Sequence, residues 1–228
     1  MSSTEVSEDK AAEPIESTKV LTIGHSTLAL DPFLNLLKRA GVTAIADVRS
    51  SPFSRRSPHF SRDDFRASLK EVGIKYVFLG KELGGRPRAE NLYCDGVADY
   101  EKMALEPAFL KGIDRVVDGS KEHTIALMCS EHNPLDCHRC LLVGRALADR
   151  KISIGHILSN GNVATQYDIE EKLLALVGAE EKDMEDMFAS REELLSVAYR
   201  SRAKAVAYRE PVGGLTEPAA PHWTDHAP

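Results

Sequence analysis

The sequence lacks several features that mark particular protein classes. No apolar run approaches the roughly 20 residues that a bilayer requires, so we expect no membrane-spanning segment. Glycine (15) and proline (11) occur at near-average frequency, which excludes a collagen-like or wholly disordered chain. Four cysteines in 228 residues are too few for a disulfide-stapled scaffold. Residues 1–19 contain no apolar segment, so we predict no secretory signal and a cytoplasmic location.

The charge of the chain is small in total but unevenly distributed. A formal net charge of −6 argues against a protein that coats nucleic acid without specificity. Between Arg49 and Arg88, however, ten Lys and Arg residues stand against four Asp and Glu residues, whereas residues 1–19 and 168–193 are acidic. A basic middle between acidic flanks predicts one face that holds an anionic small molecule or nucleic acid.

Short β-branched runs alternate with helical patterns through most of the chain. The runs Lys19–Ile23, Ala44–Val48 and Thr124–Met128 are apolar nearly throughout, as is typical of strands buried on both faces. Alternating strands and helices indicate a parallel sheet covered on two sides. We therefore predict an α/β fold, a single Rossmann-like domain with a mostly parallel sheet of about five strands and helices on both faces.

Composition divides the chain into four segments. We expect the α/β domain at 19–177 and a C-terminal helical extension at 178–210. The acidic residues 1–18 and the polar residues 211–228 have little to bury and are predicted to be disordered tails. Packing on the sheet is the simpler role for the extension, and contact with a partner or nucleic acid through its basic residues is the alternative.

Polar residues follow the predicted strands, where open parallel sheets bind ligands. The first strand ends in Gly24, His25 and Ser26. This segment weakly indicates a phosphate-binding site, and a turn followed by a helix cap explains it equally well. After the third strand, Gly84 and Gly85 allow close approach of an anionic ligand, although turn geometry alone accounts for them as well.

The second strand ends in an acid and a base. Asp47 and Arg49 are two residues apart and project to the same side of the strand, which is consistent with a site or with a structural ion pair. The next loop carries Ser54, Arg55 and Arg56, and an arginine fork matches phosphate oxygens. A solvated loop could be equally basic, so this phosphate clamp is a hypothesis.

The strongest group of reactive residues follows the strand Thr124–Met128. Cys129 ends this strand, Glu131 lies in the loop, and Cys137 with His138 begins the next helix. A thiol at a helix N-terminus beside His and Arg has a lowered pKa, so Cys137, or Cys129 across the loop, is a candidate nucleophile. Glu131 is the candidate general acid or base. Inert buried cysteines are the alternative.

The same segment also suggests zinc. Cys129, Cys137 and Cys140, with His132 or His138, offer enough ligands for a tetrahedral site. We disfavour this interpretation because Cys137 and Cys140 would lie one helical turn apart, and because Cys140 opens an apolar run typical of core. We therefore predict no metal and no other cofactor.

Five segments together resemble a known family. They read TIGHST, DVRSSPFSRRSPHFS, KYVFLGKELGG, MCSEHNPLDCHR and GHILSNG, in this order. From Val20 to about Leu176 the chain resembles the bacterial and archaeal family called domain of unknown function 488. The resemblance implies a compact α/β domain and indicates where the site lies rather than what it does. It assigns the following motif residues: Gly24, His25, Ser26, Asp47, Arg49, Pro52, Ser54, Phe60, Leu83, Gly84, Gly85, Cys129, Glu131, Cys137, His138 and Arg139.

Together these observations predict an enzyme, a hydrolase or transferase acting on a phosphorylated substrate, with a nucleotide or nucleic acid favoured. The catalytic candidates are His25, Asp47, Cys129, Glu131 and Cys137. The candidates for binding the substrate phosphate are Gly24, Ser26, Arg49, Ser54, Arg55, Arg56, Gly84, Gly85, His138 and Arg139. We expect His25, Asp47, Arg49, Glu131 and Arg139 to converge on one cleft. The alternatives are a nucleic-acid-binding module without turnover, and a cysteine-based redox sensor or zinc-binding protein.

Overall fold

The computed structural model describes residues 20–180 and 190–210. The predicted tails at 1–18 and 211–228, and part of the predicted extension, lie outside the described residues. Within the described ranges, no helix combines the length and the apolar character needed to cross a membrane.

The fold is built on a six-stranded sheet and a separate two-stranded one. The strands are β1 (Val20–Gly24), β2 (Ala44–Asp47), β3 (Lys75–Phe78), β4 (Tyr93–Cys94), β5 (Val97–Ala98), β6 (Ile125–Cys129), β7 (Ile154–Ile157) and β8 (Val163–Thr165). The order in the large sheet is β3-β2-β6-β1-β7-β8, and all pairs are parallel except β7 with β8. This confirms the predicted mostly parallel sheet and adds an antiparallel edge strand to the five expected.

Helices cover both faces of the large sheet, as predicted. They are α1 (Leu30–Arg39), α2 (Arg62–Glu71), α3 (Gly80–Leu83), α4 (Tyr100–Ala104), α5 (Pro107–Ser120), α6 (Arg145–Asp149), α7 (Gln166–Glu180) and α8 (Arg191–Val206). A π-helical segment, Arg139–Gly144, leads directly into α6. In α1 the apolar residues bury one face, while Asp31 in the first turn and Lys38 in the last turn complement the helix dipole.

Two hydrophobic cores lie on opposite faces of the sheet. The smaller core packs α1 and α2 against residues such as Ile23, Ile45 and Met128. The larger core packs α4 to α8 and the π-helical segment against residues such as Leu127 and Cys129. Because side chains alternate along a strand, Asp47 lies on the side of the smaller core and Cys129 on that of the larger core.

Strand β6 lies between β1 and β2 and marks a reversal of the chain path. The chain leaves β1 and β2 over the face that carries α1 and α2, but leaves β6 over the opposite face. Open α/β sheets bind ligands at such reversals, outside the carboxyl ends of the strands. Both neighbours of β6 in the sheet, β1 and β2, lead to the opposite face from β6, and β6 ends at Cys129.

The C-terminal helices pack on the domain. Helix α7 continues through residue 180, so the expected boundary at 177/178 falls inside this helix. In α8, Ala198 and Tyr199 are buried in the larger core. Arg202 forms an ion pair with Asp136 and donates a 3.1 Å hydrogen bond to the carbonyl of Leu135. This arginine therefore braces the loop that precedes Cys137.

Candidate active site

Two thiols, a carboxylate and an imidazole meet at the carboxyl end of β6. We call Cys129, Glu131, Cys137 and His138 the thiol–carboxylate cluster. The Cys129 thiol donates to Glu131 Oε2 at 2.8 Å, and Glu131 Oε2 lies 3.0 Å from Cys137 Sγ. His138 Nδ1 lies 3.7 Å from Cys129 Sγ and 3.9 Å from Cys137 Sγ. The ligand atoms of all four residues lie within 4.8 Å of one another.

The loop between β6 and the next helix has local signals that bring Cys137 back to Cys129. The Asn133 side chain accepts a hydrogen bond from the Leu135 N–H and starts a 3-10 turn, Pro134–Asp136. Cys137 is then extended, with φ −139° and ψ 137°. Its carbonyl accepts from Leu141 N and its sulfur from Arg139 N, so it caps the following helix.

Glycine at position 24 allows the loop to pass close to β1. A Cβ atom on Gly24 would overlap the carbonyl oxygen of Glu131. Any larger residue would therefore push the loop, and Glu131 with it, away from the sheet. The predicted contact of Gly24 with an anion stays a prediction, while the structure shows that the missing side chain makes room for this loop.

His138 is fixed in one orientation. Its Nε2 lies 2.8 Å from the carbonyl oxygen of Val48, and because a carbonyl can only accept, this nitrogen donates. In the neutral ring, the lone pair on Nδ1 then faces the two sulfurs. Gly85 makes room for the ring, since a Cβ atom there would lie 2.7 Å from His138 Cγ and 2.8 Å from Nδ1.

The pKa values of the cluster depend on burial and on the nearby charges. Burial raises the pKa of Cys129 well above its usual value. Burial alone would also raise the pKa of Cys137, but a hydrogen bond with Cys129 and the charge of Arg139 lower it well below the ordinary value. Burial and the Cys137 charge raise the pKa of Glu131. Burial opposes the charged form of His138, but Cys137 raises the pKa of this ring.

Arg139 is part of the framework of the site. It is 1% exposed and donates to the carbonyl oxygens of Glu131 at 2.7 Å and His132 at 3.0 Å. Its Nε is the one buried side-chain nitrogen or oxygen without a hydrogen-bond partner among the described residues. Arg139 was predicted to bind phosphate, but its Nη1 and Nη2 atoms hold the loop that carries Glu131.

A second polar group lies on the other side of the sheet. Arg49 donates to Asp47 through Nε at 2.9 Å and through Nη2 at 2.6 Å, and also to the carbonyl of Phe60. Asp47 is 0% exposed, and Tyr76 donates its hydroxyl to it at 2.8 Å. Arg49 Nη1 lies 3.4 Å from His25 Nε2. The predicted same-side geometry of Asp47 and Arg49 is thus realised as a buried ion pair.

His25 is a neutral partner in this second group. Its ring stacks on Phe60 with centroids 4.3 Å apart, and its Nδ1 donates to the Ser26 carbonyl at 3.0 Å. Burial and the positive charge of Arg49 lower the pKa of His25 from 6.5 to about 4. Ser26 takes a left-handed backbone conformation, with φ 48°, at the turn after β1.

The five residues expected to converge all follow the carboxyl ends of neighbouring strands, where the His25 N–H donates to the Cys129 carbonyl at 2.9 Å, but hydrogen bonds between their side chains join them into two groups. His25, Asp47 and Arg49 form one group, and Glu131 with Arg139 belongs to the other. Val48 links the two groups. It precedes Arg49 in the chain, and its carbonyl oxygen accepts a hydrogen bond from His138 of the thiol–carboxylate cluster.

The predicted phosphate loop is exposed. Arg55 and Arg56 are exposed and form no hydrogen bond or ion pair with another described residue. The Ser54 hydroxyl accepts from the Ser57 N–H at 3.0 Å, which shapes the loop. Gly84 packs against Ser50, so the segments after β2 and β3 lie together.

Sequence reasoning missed two tyrosines. Tyr76 supports Asp47, and Tyr100 lies near the cluster, where burial and the charges of Cys137 and Cys129 raise its pKa. Tyr76 lies in the segment KYVFLGKELGG and Tyr100 outside the five family segments, but neither was a candidate site residue, and only the tertiary structure reveals their contacts. Cys140, one of the ligands considered for the disfavoured zinc site, is buried in the larger core, where burial raises its pKa to about 12.

The comparisons with known proteins give a family but no activity. The family model described as Domain of unknown function DUF488 matches residues 29–146, which is just over half of the chain and includes the whole thiol–carboxylate cluster. No curated protein and no solved structure matches the chain. The chain therefore belongs to the family described as Domain of unknown function DUF488.

Proposed function

We propose that the protein is a hydrolase of phosphorylated compounds, with nucleotides and nucleic acids as the favoured substrates, and that the thiol–carboxylate cluster is its catalytic centre. The observation that carries this proposal is the position of Glu131. The residue as a whole is exposed, but its carboxylate contacts two buried thiols at the carboxyl end of β6. A carboxylate that contacts buried reactive groups, on a residue that reaches solvent, is positioned to exchange a proton with water and a leaving group.

The charge of the neighbouring loops supports an anionic substrate. Ten basic residues and four acidic ones lie between Arg49 and Arg88. The Arg86 N–H donates to Ser50 Oγ at 3.0 Å and joins the segments that follow β2 and β3. Exposed arginines such as Arg55 and Arg56 can bind phosphate oxygens through two parallel N–H groups.

One observation favours the alternative of nucleic-acid binding without turnover. Phe53 is 66% exposed and lies beside Arg55 and Arg56 in the same loop. Exposed aromatic rings stack on bases while arginines contact the backbone, which is a common arrangement in proteins that bind single strands. This loop would then serve binding, whether or not the cluster hydrolyses the bound molecule.

A turnover screen tests the proposal. Wild-type protein is incubated with nucleotides, sugar phosphates and short single-stranded nucleic acids, and release of phosphate or of a cleaved product is measured. The Glu131→Gln variant should lower kcat about 100- to 10,000-fold, the usual contribution of a general acid or base. Glu122→Gln is the matched control, since Glu122 is an exposed acid away from the cluster. No turnover by the wild type, or full activity of Glu131→Gln, contradicts the proposal.

A further inference from the structure

We propose that Cys129, Cys137 and His138 bind a zinc ion, and that Glu131 lies beside the fourth coordination position. This inference deepens the proposed function. The binding of zinc does not depend on the proposed function, but the role of the zinc-bound water does. Zinc favours thiolate and imidazole ligands in tetrahedral geometry, and two sulfurs with one nitrogen are such a set.

The separations of the ligand atoms agree with a single tetrahedral ion. Zinc lies about 2.3 Å from sulfur and 2.0–2.1 Å from nitrogen, so a tetrahedral angle separates sulfur and nitrogen by roughly 3.6 Å. The observed distances from His138 Nδ1 are 3.7 Å to Cys129 Sγ and 3.9 Å to Cys137 Sγ. Both sulfurs and the nitrogen therefore need only small side-chain adjustments to bind one ion.

The support of His138 is typical of a metal ligand. Histidines that bind metals usually donate their other ring N–H to a carboxylate or a backbone carbonyl, which fixes the tautomer. His138 donates Nε2–H to the Val48 carbonyl at 2.8 Å, and Gly85 leaves space for the ring. The lone pair on Nδ1 is thus already directed at the two sulfurs.

Glu131 differs from the other three members of the cluster. Its Oε2 lies 2.8 Å and 3.0 Å from the two sulfurs, which is a hydrogen-bonding distance and shorter than the roughly 3.6 Å between two ligands of one zinc ion. The three other residues are buried, whereas Glu131 is exposed. Three protein ligands with an open fourth position are the pattern of catalytic rather than structural zinc.

The fold also removes the sequence-based objection to zinc. That objection assumed that Cys137 and Cys140 share a helix, one turn apart. In the structure Cys137 is extended and precedes the helix, and Cys140 points into the larger core. The ligand set is therefore completed by Cys129 and His138, and Cys140 is not needed.

Charge balance favours a bound cation. Two buried thiolates would be costly without compensation, and a zinc ion cancels both of their charges. Arg139 is buried beside them and retains one N–H without a partner among the described residues. Its positive charge offsets that of Glu131, so the occupied site would be close to neutral.

A zinc ion would give the proposed hydrolase its nucleophile. Zinc lowers the pKa of a bound water to about 7. Glu131 accepts the proton, the resulting hydroxide forms a bond to phosphorus, and the bond from phosphorus to the leaving oxygen breaks. Glu131 then returns the proton to the leaving oxygen, so atoms and charges balance.

Metal analysis of the full chain tests the inference. Wild-type protein should hold about one zinc ion per chain by elemental analysis, and cobalt added after chelation should give a thiolate-to-cobalt charge-transfer band. Cys129→Ser and Cys137→Ser should lose that band, while Cys94→Ser, at an exposed cysteine, should keep it. Glu131→Gln should keep the metal. The zinc content and the cobalt band of the wild type test the inference even if a variant fails to fold.

Three results would overturn the inference. They are a wild type that holds no zinc and gives no cobalt–thiolate band, a Cys137→Ser variant that binds cobalt as the wild type does, and, for the role of the zinc-bound water, full hydrolysis by the chelated protein. The last result leaves the proposed function standing without zinc. Stoichiometric zinc in a protein that hydrolyses none of the phosphorylated compounds supports this inference and contradicts the proposed function instead.

Discussion

Replacing Asp47 with Asn separates a structural from a catalytic role for the buried ion pair. Asn has nearly the shape of Asp but no charge, so Arg49, which is 3% exposed, would keep a buried charge without its partner. Breaking a buried pair in this way costs about 3–5 kcal/mol of the free energy of unfolding. At about 2–4 °C per kcal/mol for a chain of this length, Tm should fall by roughly 6–20 °C.

Two control variants bracket this effect. Tyr76→Phe removes one hydrogen bond to the Asp47 carboxylate and should cost about 1.5–3 kcal/mol. Asp118→Asn breaks a surface ion pair with Lys121, in which both side chains are about 70% exposed, and should cost at most about 1 kcal/mol. Urea unfolding followed by circular dichroism measures all three. If Asp47→Asn unfolds like the wild type but abolishes turnover, Asp47 is catalytic and the argument from the buried pair is wrong.

Three further predictions concern pH, ligand binding and the cluster. Burial lowers the pKa of His156 from 6.5 to about 4, so between these two pH values the unfolded chain binds more protons than the folded chain. The free energy of unfolding should therefore fall by up to about 3 kcal/mol as the pH is lowered from 6.5 to 4. Urea unfolding at several pH values should show a smaller fall for His156→Gln; an equal fall contradicts the assignment. Replacing Arg55 and Arg56 with Ala should weaken the binding of anionic ligands, measured by titration, by about 1.5–3 kcal/mol for each lost contact. The free energy of unfolding should change by no more than about 0.5 kcal/mol. Unchanged affinity would mean that the two arginines contact only solvent. Gly85→Ala should displace the His138 ring and weaken cobalt binding about tenfold or more, and wild-type affinity would show that the ring has room to move.

The sequence predicts the strands well but not their order. The runs that became β1, β2 and β6 are apolar nearly throughout, which identifies buried strands without any tertiary information. The insertion of β6 between β1 and β2 depends on pairing between distant residues, which leaves no periodic signal. Strands β4 and β5 have two residues each and are too short to give a pattern.

For the site, the sequence identifies the residue types and misses their partners. Asp47 and Arg49 were placed on one side of a strand by spacing alone, and they do pair. The burial of Arg139 could not be predicted, because the acceptors that hold its guanidinium are backbone carbonyls, which every sequence carries. The extended conformation of Cys137 was also hidden, since the 3-10 turn before it resembles the start of a helix in sequence.

The central position of β6 has a consequence for how the chain folds. Strand β1 pairs only with β6 and β7 within the described sheet, and β6 follows roughly a hundred residues later. Until Ile125–Cys129 has emerged from the ribosome, both edges of β1 lack their native partners, and β2 can pair only with β3. Long-range parallel pairing of this kind folds slowly and leaves apolar edges open to aggregation. The nascent chain is therefore expected to expose unpaired strand edges until β6 joins the two halves of the sheet.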